Sequence, residues 1–353
     1  MMKAWEENIR KITPYVSGEQ PDFKNMVKLN TNENPYPPAP GVEKALKGFN
    51  SDRLRLYPDP TAKQLVETLA EFYHLGNDQV FVGVGSDDVL AVAFMTFFNS
   101  HRPILFPDIT YSFYPVWSEL FHIPYCDPCL DENFHIRKED YYQENGGIVI
   151  ANPNAPTSIY EELSVIEDIV KHNSDVVIII DEAYIDFAGH SAIELIDRYD
   201  NLLVVRTFSK SRAMAGMRIG YAMGQPGLIA AMNDVKYSFN SYTMNQTAIE
   251  CGVAAVKDEA YFREGIKKII DTRSYAKERL RALGFSFPKS GANFLFVTHD
   301  RVPAKVIFEA LRENHIYVRY FNLPRIDNYL RITIGTPEEM DCLFSFLQKF
   351  LSA

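Results

Sequence analysis

The chain has 353 residues and a formal net charge of −10 with its histidines neutral. A chain of this length can bury a large core without disulfide or metal cross-links, and it is long enough for two domains. Hydrophobic residues make up 46% and charged residues 23% of the sequence, which excludes a disordered or fibrous protein. The acidic balance disfavours non-specific binding to nucleic acid or to an anionic membrane surface.

Neither the N-terminus nor the cysteines indicate secretion. The first eight residues are polar and charged, and the longest strongly apolar stretch, 89–98, is too short to span a bilayer. Four scattered cysteines predict no disulfide framework, and the single CxxC pair, Cys126 and Cys129, has no second pair to complete a zinc site. A redox role for that pair is the alternative to ordinary reduced thiols, although prolines at 124 and 128 favour an extended, turning segment. We therefore expect a cytoplasmic protein without a metal site.

Short apolar segments alternate with helical ones along the middle of the chain, which predicts α/β architecture. We expect strands over 79–84, 103–106, 147–151, 176–180, 202–206 and 218–223, and helices over 86–98 and 111–121. The β-branched run at 176–180 is typical of a strand buried on both faces of a parallel sheet. Further along, we expect a helix over 258–283, strands over 293–297 and 329–334, and helices over 303–313 and 337–351.

After residue 243 the sequence changes to a long helical stretch rich in charged residues, followed by shorter strands and helices. This change predicts a second, smaller α+β domain. We place an N-terminal arm at 1–34, a large α/β domain at 35–243 and the small domain at 244–353. A proline-rich link over 34–40 would join the arm to the large domain, and the arm is expected to pack with the small domain.

Two polar residues follow the ends of predicted strands. Lys210 lies just past the strand at 202–206, where open α/β sheets place ligands, and a lysine held there can form a Schiff base with an aldehyde cofactor. The alternative is a solvated surface lysine. Asp181 ends the apolar run at 176–180 and needs a cationic partner if it is buried, for which a protonated pyridine nitrogen would serve. A helix cap or a surface ion pair is the other interpretation of Asp181.

Two segments are suited to binding a phosphate. Arg218 offers a bidentate fork and Ser209 a hydroxyl. The segment from Gly83 to Asp87 offers a tight turn before a helix start, whose N–H groups bind anions. Acidic residues in the first turn of that helix are also what the helix dipole alone would favour.

In combination these motifs resemble the fold-type I pyridoxal-phosphate aminotransferases. The matching order is Gly85-Ser86-Asp87, Tyr111, Asn154-Ala155-Pro156-Thr157, Asp181-x-x-Tyr184, Ser209-Lys210 and Arg218. Further segments are similar to the histidinol-phosphate aminotransferase family, namely Thr13-Pro14-Tyr15, the stretch 29–35, Tyr57-Pro58, the stretch 108–111 and the stretch 330–335. The resemblance runs from about residue 15 to 336. It implies a large domain with a mostly parallel seven-stranded sheet, and transamination of L-histidinol phosphate with 2-oxoglutarate.

The resemblance also implies roles for individual residues. Lys210 would bind pyridoxal phosphate and move the reacting proton, Asp181 would keep the ring nitrogen protonated, and Tyr111 would stack on the ring. Phe113 and Tyr114 are competing choices for that stacking role. The cofactor phosphate would be held by Ser86, Asp87, Thr207, Ser209, Arg218 and, from the neighbouring subunit of a homodimer, Tyr57. The substrate would be contacted by Tyr15, Asn32, Arg319 and Arg331.

The sequence departs from the family pattern at two positions. The asparagine that bonds the cofactor's ring hydroxyl is replaced by Ala155, so we expect Asn154 or Tyr184 to make that contact. Ser158 stands where the family has glycine, which predicts that this position avoids a positive φ angle.

Several other functions would keep much of this pattern. An aromatic aminotransferase or a threonine-phosphate decarboxylase would retain Lys210, Asp181 and Arg218, and a catalytically inactive protein of this fold would retain the architecture. A dinucleotide-binding oxidoreductase could be argued from Gly83-x-Gly85, but Asp88 occupies the place of the third glycine of that fingerprint.

Overall fold

The computed structural model describes residues 3–16, 18–22 and 25–352. Its strands there are β1 (Val27–Lys28), β2 (Val80–Gly83), β3 (Ile104–Leu105), β4 (Tyr125–Cys126), β5 (Ile148–Ala151), β6 (Ile178–Asp181), β7 (Leu202–Thr207), β8 (Gly220–Gly224), β9 (Phe285–Ser286), β10 (Phe294–His299), β11 (Ile316–Tyr317), β12 (Arg319–Tyr320) and β13 (Leu330–Thr333). The α-helices are α1 (Ala4–Glu7), α2 (Pro40–Gly48), α3 (Lys63–Tyr73), α4 (Ser86–Phe97), α5 (Phe113–Phe121), α6 (Leu163–His172), α7 (Pro226–Phe239), α8 (Gln246–Lys257), α9 (Glu259–Ala282), α10 (Ala304–Glu313) and α11 (Pro337–Ser352).

Seven strands form the central sheet, in the order β2-β8-β7-β6-β5-β3-β4. The five strands from β7 to β4 pair in parallel, whereas β8 pairs antiparallel with both β2 and β7. Every residue of β5, β6 and β7 is buried, as expected for parallel strands covered on both faces. The predicted α/β fold with a mostly parallel seven-stranded sheet is confirmed.

A second, four-stranded antiparallel sheet has the order β12-β13-β10-β9. Its apolar face shares a core with residues of α9, α10 and α11, such as Leu280, Leu311 and Phe344. The N-terminal arm joins this part of the molecule, since β1 pairs in parallel with β11 and Leu29 belongs to the same core. The arm therefore lies between the small unit and the carboxyl edge of the large sheet.

The boundary expected at residue 244 is too early. Helix α8 buries Ala248, Ile249 and Val256 in the core that also holds Leu65 and Val82, so it belongs with the large sheet. After residue 243, the first buried residue that belongs to the core of the small unit is Ile269, in α9. The amphipathic pattern of α8 shows that one face is buried, but it carries no information about which sheet covers that face.

The CxxC segment lies at the edge of the large sheet. Cys126 is in the edge strand β4, and both Cys126 and Cys129 are exposed and free. The Asp108 carboxylate raises the pKa of the Cys129 thiol, which leaves less of the reactive thiolate at neutral pH. The edge strand and the raised pKa favour ordinary reduced thiols.

No helix within 3–16, 18–22 or 25–352 is both long and apolar enough to cross a bilayer.

Candidate active site

A cavity of about 310 Å³ lies at the carboxyl ends of the parallel strands. Ala151 pairs with Asp181, so β5 and β6 end level, and β7 continues two residues beyond Val205, the partner of Asp181. The residues that follow these strands face one space. All of the predicted site residues line the cavity except Asn154 and Tyr57. The N-terminal arm, β12 and β13 close its other side.

Lys210 projects into the cavity from the turn after β7. Its Nζ donates a hydrogen bond to the carbonyl oxygen of Thr31 at 3.2 Å and lies 5.8 Å from the centroid of the Tyr184 ring. Asn34 fixes the backbone below it, because its Nδ2 donates to the carbonyl oxygens of Lys210 and Ser211 at 3.0 and 3.2 Å. The arm thus holds this lysine inside the site, away from the solvated surface.

Asp181 is the last residue of β6 and is 6% exposed. The Tyr114 hydroxyl donates to its Oδ2 at 2.9 Å, and the backbone N–H of Ala183 donates to its Oδ1 at 3.2 Å. Burial raises the pKa of Asp181 to about 6, because both of these donors are neutral. A cationic group facing this carboxylate would restore its charged form, so the position fits the protonated ring nitrogen of pyridoxal phosphate.

Tyr114, the alternative candidate for stacking on the cofactor ring, makes a different contact. Its hydroxyl is buried against Asp181, whereas Tyr111 lines the cavity. Tyr111 precedes the N-cap of α5 and Tyr114 lies in its first turn, and their ring centroids are 5.7 Å apart. The sequence shows that both tyrosines lie near the start of this helix, but it does not show which of the two rings faces the ligand.

The turn between β2 and α4 forms a cradle for an anion. Gly85 has φ +87°, a conformation that favours glycine, and a Cβ there would also lie 2.5 Å from Nη2 of Arg218. Arg218 pairs with Asp87 at 3.2 Å, and the Tyr111 hydroxyl donates to the same carboxylate at 2.8 Å. Burial, together with Asp87, raises the pKa of Tyr111 and keeps its hydroxyl protonated. The start of α4 and the guanidinium fit the cofactor's phosphate.

Two hydroxyls complete this cradle on the β7 side. Thr207 donates to Ser209 Oγ at 2.9 Å, and the backbone N–H of Ser209 donates to Thr207 Oγ1 at 3.1 Å. Both side chains line the cavity, where they can turn a hydroxyl proton toward a phosphate oxygen.

A second cationic region faces the cradle from the small unit. Arg319 and Arg331 are directly paired across β12 and β13. Arg331 donates through Nη2 to the carbonyl oxygen of Asn30 at 2.9 Å, while its buried Nε has no partner in the described part of the chain. The Phe321 ring centroid lies 5.7 Å from the guanidinium carbon of Arg319 and 5.6 Å from that of Arg331. A buried donor without an acceptor is costly, and an anionic ligand would satisfy it.

Two predicted substrate residues of the arm line the same side of the cavity. The Tyr15 ring stacks on Phe113 with a centroid distance of 4.3 Å. Asn32 is buried, and its amide is bonded to Tyr184 and Thr333. Sequence reasoning named neither Phe113 as a support for Tyr15 nor Thr333 as a partner of Asn32.

The expectation that Asn154 replaces the missing family asparagine is not supported by its geometry. Its Nδ2 donates to the carbonyl oxygen of Ile109 and to Thr157 Oγ1, and its Oδ1 accepts from Thr110. Asn154 therefore stabilises the turn and does not line the cavity, whereas its neighbour Ala155 does line it. Of the two candidates for the ring-hydroxyl contact, Tyr184 is the one that lines the cavity.

The prediction that Ser158 avoids a positive φ angle is wrong. Ser158 has φ +64°, because its N–H turns back to the carbonyl oxygen of Asn154 at 2.9 Å and its own carbonyl accepts from Gly291 at 2.7 Å. These two bonds fix the turn in the left-handed conformation, which costs a residue with a Cβ about 1 kcal/mol.

Tyr57 does not line the cavity of its own chain. It is 83% exposed, and its ring lies 4.7 Å from that of Tyr242. Leu54, Leu56 and Phe239 are also strongly exposed.

Comparison with known proteins identifies the family. The family described as aminotransferase class I and II matches residues 24–347. The chain is 50% identical over 348 residues to the histidinol-phosphate aminotransferase of Lactococcus lactis subsp. cremoris, covering 99% of this chain and 98% of that protein. It is 51% identical over 354 residues to the histidinol-phosphate aminotransferase of Acinetobacter baylyi, covering 99% and 98% respectively.

A solved structure shares the fold. The histidinol-phosphate aminotransferase of Sinorhizobium meliloti in complex with pyridoxal-5'-phosphate superposes with a TM-score of 0.85 at 22% identity, covering 92% of this chain and 91% of that one. The match to the family over most of the sequence, and the near-complete coverage by relatives at about half identity, agree with the cavity geometry. The chain belongs to the class I and II aminotransferases.

Proposed function

We propose that the protein catalyses the pyridoxal-phosphate-dependent transamination of L-histidinol phosphate. The acceptor is 2-oxoglutarate, and the products are imidazole acetol phosphate and glutamate. The observation that carries this proposal is the presence of two separate anion-binding regions on either side of Lys210. The cradle at Ser86 and Arg218 suits the cofactor's phosphate, and the pair Arg319 and Arg331 suits an anionic group on the substrate. The names of the relatives support the choice of substrate.

The cofactor, when bound, supplies a conjugated ring that withdraws electrons from the substrate's Cα. The Lys210 amine would hold the cofactor through its aldehyde, with loss of water, and, when freed by the substrate amine, would carry the proton from Cα to the former aldehyde carbon of the cofactor. Asp181 would hold a proton at the ring nitrogen, and the hydrogen bond from Tyr114 keeps that carboxylate in place. Arg319 and Arg331 bind the anionic end of the substrate and orient its Cα toward Lys210.

Steady-state rates with three amino compounds test this assignment. With 2-oxoglutarate as acceptor, we expect kcat/KM for histidinol phosphate to exceed that for phenylalanine by about 100-fold or more, because a phosphate has enough charge and acceptor oxygens for both guanidinium groups, whereas a single carboxylate leaves donors of the pair unsatisfied. Threonine phosphate is expected to release no carbon dioxide above background. A preference for phenylalanine, or decarboxylation of threonine phosphate, would contradict the proposed substrate, and a protein inactive with all three would be a binding protein of this fold.

We also propose a homodimer in which Tyr57 reaches the phosphate cradle of the neighbouring subunit. The strong exposure of Tyr57, Leu54, Leu56 and Phe239 supports this proposal, because exposed apolar side chains in one region mark an interaction surface. A dimer should be measurable by sedimentation.

Tyr57→Phe is expected to weaken pyridoxal-phosphate binding by less than about tenfold. It removes one hydrogen bond, while Arg218 and the start of α4 remain in place. The measurement is a fluorescence titration of cofactor-free protein, with Tyr242→Phe as the matched control that keeps wild-type affinity. Complete loss of binding in Tyr57→Phe would refute this account.

The cytoplasm remains our proposed location. Three exposed free thiols, at Cys126, Cys129 and Cys342, suit a reducing compartment.

A further inference from the structure

Three consecutive residues of the N-terminal arm each hold one functional group of the site. The carbonyl oxygen of Asn30 accepts from Arg331, and that of Thr31 accepts from Lys210. Next to them, Asn32 Nδ2 donates to the Tyr184 hydroxyl at 2.9 Å. The first two contacts use the backbone, so only the third depends on the identity of the arm's side chain.

The hydrogen bonds around Asn32 have a defined direction. Its backbone N–H donates to Thr333 Oγ1 at 3.0 Å, so the Thr333 hydroxyl proton is free to donate to Asn32 Oδ1 at 3.1 Å. With Oδ1 facing Thr333, the Nδ2 group faces Tyr184 and the Tyr184 oxygen is an acceptor. Tyr184 then keeps its own proton for the cavity that it lines, and its hydroxyl donates no hydrogen bond to the described residues.

This arrangement is buried and held from several sides. Asn32 is 1% exposed, has φ +56°, and its carbonyl oxygen accepts from Asn293 at 3.1 Å. Asparagine is one of the few residue types that adopt this left-handed conformation readily. A low-dielectric setting strengthens such a chain of hydrogen bonds.

We propose that Asn32 is a positioning residue that, fixed by Thr333, aims the Tyr184 hydroxyl at the ring oxygen of the cofactor. The inference rests on the proposed function, since it needs pyridoxal phosphate in the cavity. Ala155 leaves no amide at the position where the family has asparagine, and the Asn154 amide is bonded elsewhere. Tyr184 is thus the donor left for that oxygen, and its orientation depends on the Thr333–Asn32 pair.

The pair also connects the two halves of the site. Thr333 is two residues beyond Arg331 on β13, so a single strand carries a substrate-binding guanidinium and the group that orients Asn32. A shift of β13 when the substrate's anion binds would therefore reach Tyr184 through one side chain.

The test is a spectrophotometric pH titration of the cofactor-loaded protein without substrate. A hydrogen bond donated to the ring oxygen stabilises the negative charge on that oxygen. It therefore lowers the pKa of the proton that this oxygen shares, and with it the pH midpoint of the absorption change. We expect Thr333→Val, which removes the hydroxyl at nearly constant volume, to raise the pH midpoint of the visible absorption change by about half a unit or more. Tyr184→Phe removes the hydroxyl itself, so it should give the largest shift in the midpoint that loss of this hydrogen bond can cause.

Three further variants separate positioning from a general effect on the fold. Thr333→Ser keeps the hydroxyl and should restore the wild-type midpoint. Thr272→Val is the matched control, because Thr272 is also buried but bonds to the backbone of α9 outside the cavity lining. Asn32→Gly keeps the positive φ angle and removes the amide, so it should shift the midpoint in the same direction as Thr333→Val. It therefore tests the proposal even if Thr333→Val folds poorly.

The two proposals fail in different ways. A wild-type midpoint in both Thr333→Val and Asn32→Gly, with cofactor bound, would overturn the positioning role and leave the proposed function intact. A wild-type protein that shows no visible absorption with added pyridoxal phosphate would overturn the proposed function, and this inference with it.

Discussion

Lys210→Ala is expected to lower kcat with histidinol phosphate by at least about 1,000-fold. The substitution removes both the amine that binds the cofactor's aldehyde and the base that moves the Cα proton, and a positioned acid or base alone contributes about 100- to 10,000-fold. The structure offers no second amine at this place in the described residues, since Lys210 is the one lysine among those that line the cavity. Single-turnover and steady-state assays measure the loss.

The absorption spectrum provides an independent measurement for the same variant. Wild-type protein should develop a visible band with added pyridoxal phosphate that differs from that of Lys210→Ala. Lys267→Ala, which replaces an exposed lysine on α9, is the control and should behave as wild type in both measurements. An unchanged spectrum in Lys210→Ala would show that the cofactor does not react with this residue.

Asp181→Asn is expected to have opposite effects on activity and on the stability of the cofactor-free protein. Activity should fall by about 100- to 10,000-fold, because a neutral amide cannot hold the ring nitrogen in its protonated form. Stability should rise at neutral pH, because the wild-type protein buries an ionised carboxyl group that only neutral donors contact.

The sign of the stability effect follows from the pKa of Asp181, which burial raises from 3.8 to about 6. Between these two values the folded state binds more protons than the unfolded state, so the stability of the wild-type protein falls as the pH rises through this range. The full penalty, about 3 kcal/mol, is present above pH 6. Asp181→Asn should thus be more stable than wild type at pH 7.5, and this advantage should disappear toward pH 4.

Urea unfolding of the cofactor-free proteins at several pH values measures this difference. Asp175→Asn changes an exposed aspartate and serves as the control, with a free energy of unfolding close to that of wild type throughout. A variant Asp181→Asn that is less stable than wild type at every pH would show that the buried carboxylate is not destabilising.

The positions of the main site residues could be predicted because they depend on strand ends. The β-branched run before Asp181 and the apolar run before Lys210 mark two buried strands, and neighbouring parallel strands bring their carboxyl ends to one edge. The side of the cavity formed by Arg319 and Arg331 came from resemblance alone, because a short strand carrying arginine has no pattern that points to a site.

Other features could not be predicted because they depend on direction or on distant contacts. Adjacent residues of a turn point in different directions, so sequence proximity could not show that Ala155 and not Asn154 faces the cavity. The left-handed φ of Ser158 is set partly by Gly291, far along the chain. The antiparallel direction of β8 is likewise invisible in its apolar pattern, which is the same for either direction.

The pairing of β1 with β11 has a consequence for the order in which the enzyme is made. The arm that contacts Lys210 is translated before the large sheet, but its strand partner at Ile316–Tyr317 and the side chain that fixes Asn32, Thr333, are translated after that sheet. All seven strands of the large sheet precede these partners in the chain. Lys210 therefore acquires these surroundings only after residue 333 has been translated, so a chain that terminates before this residue would carry Lys210 without the groups that surround it in the folded protein.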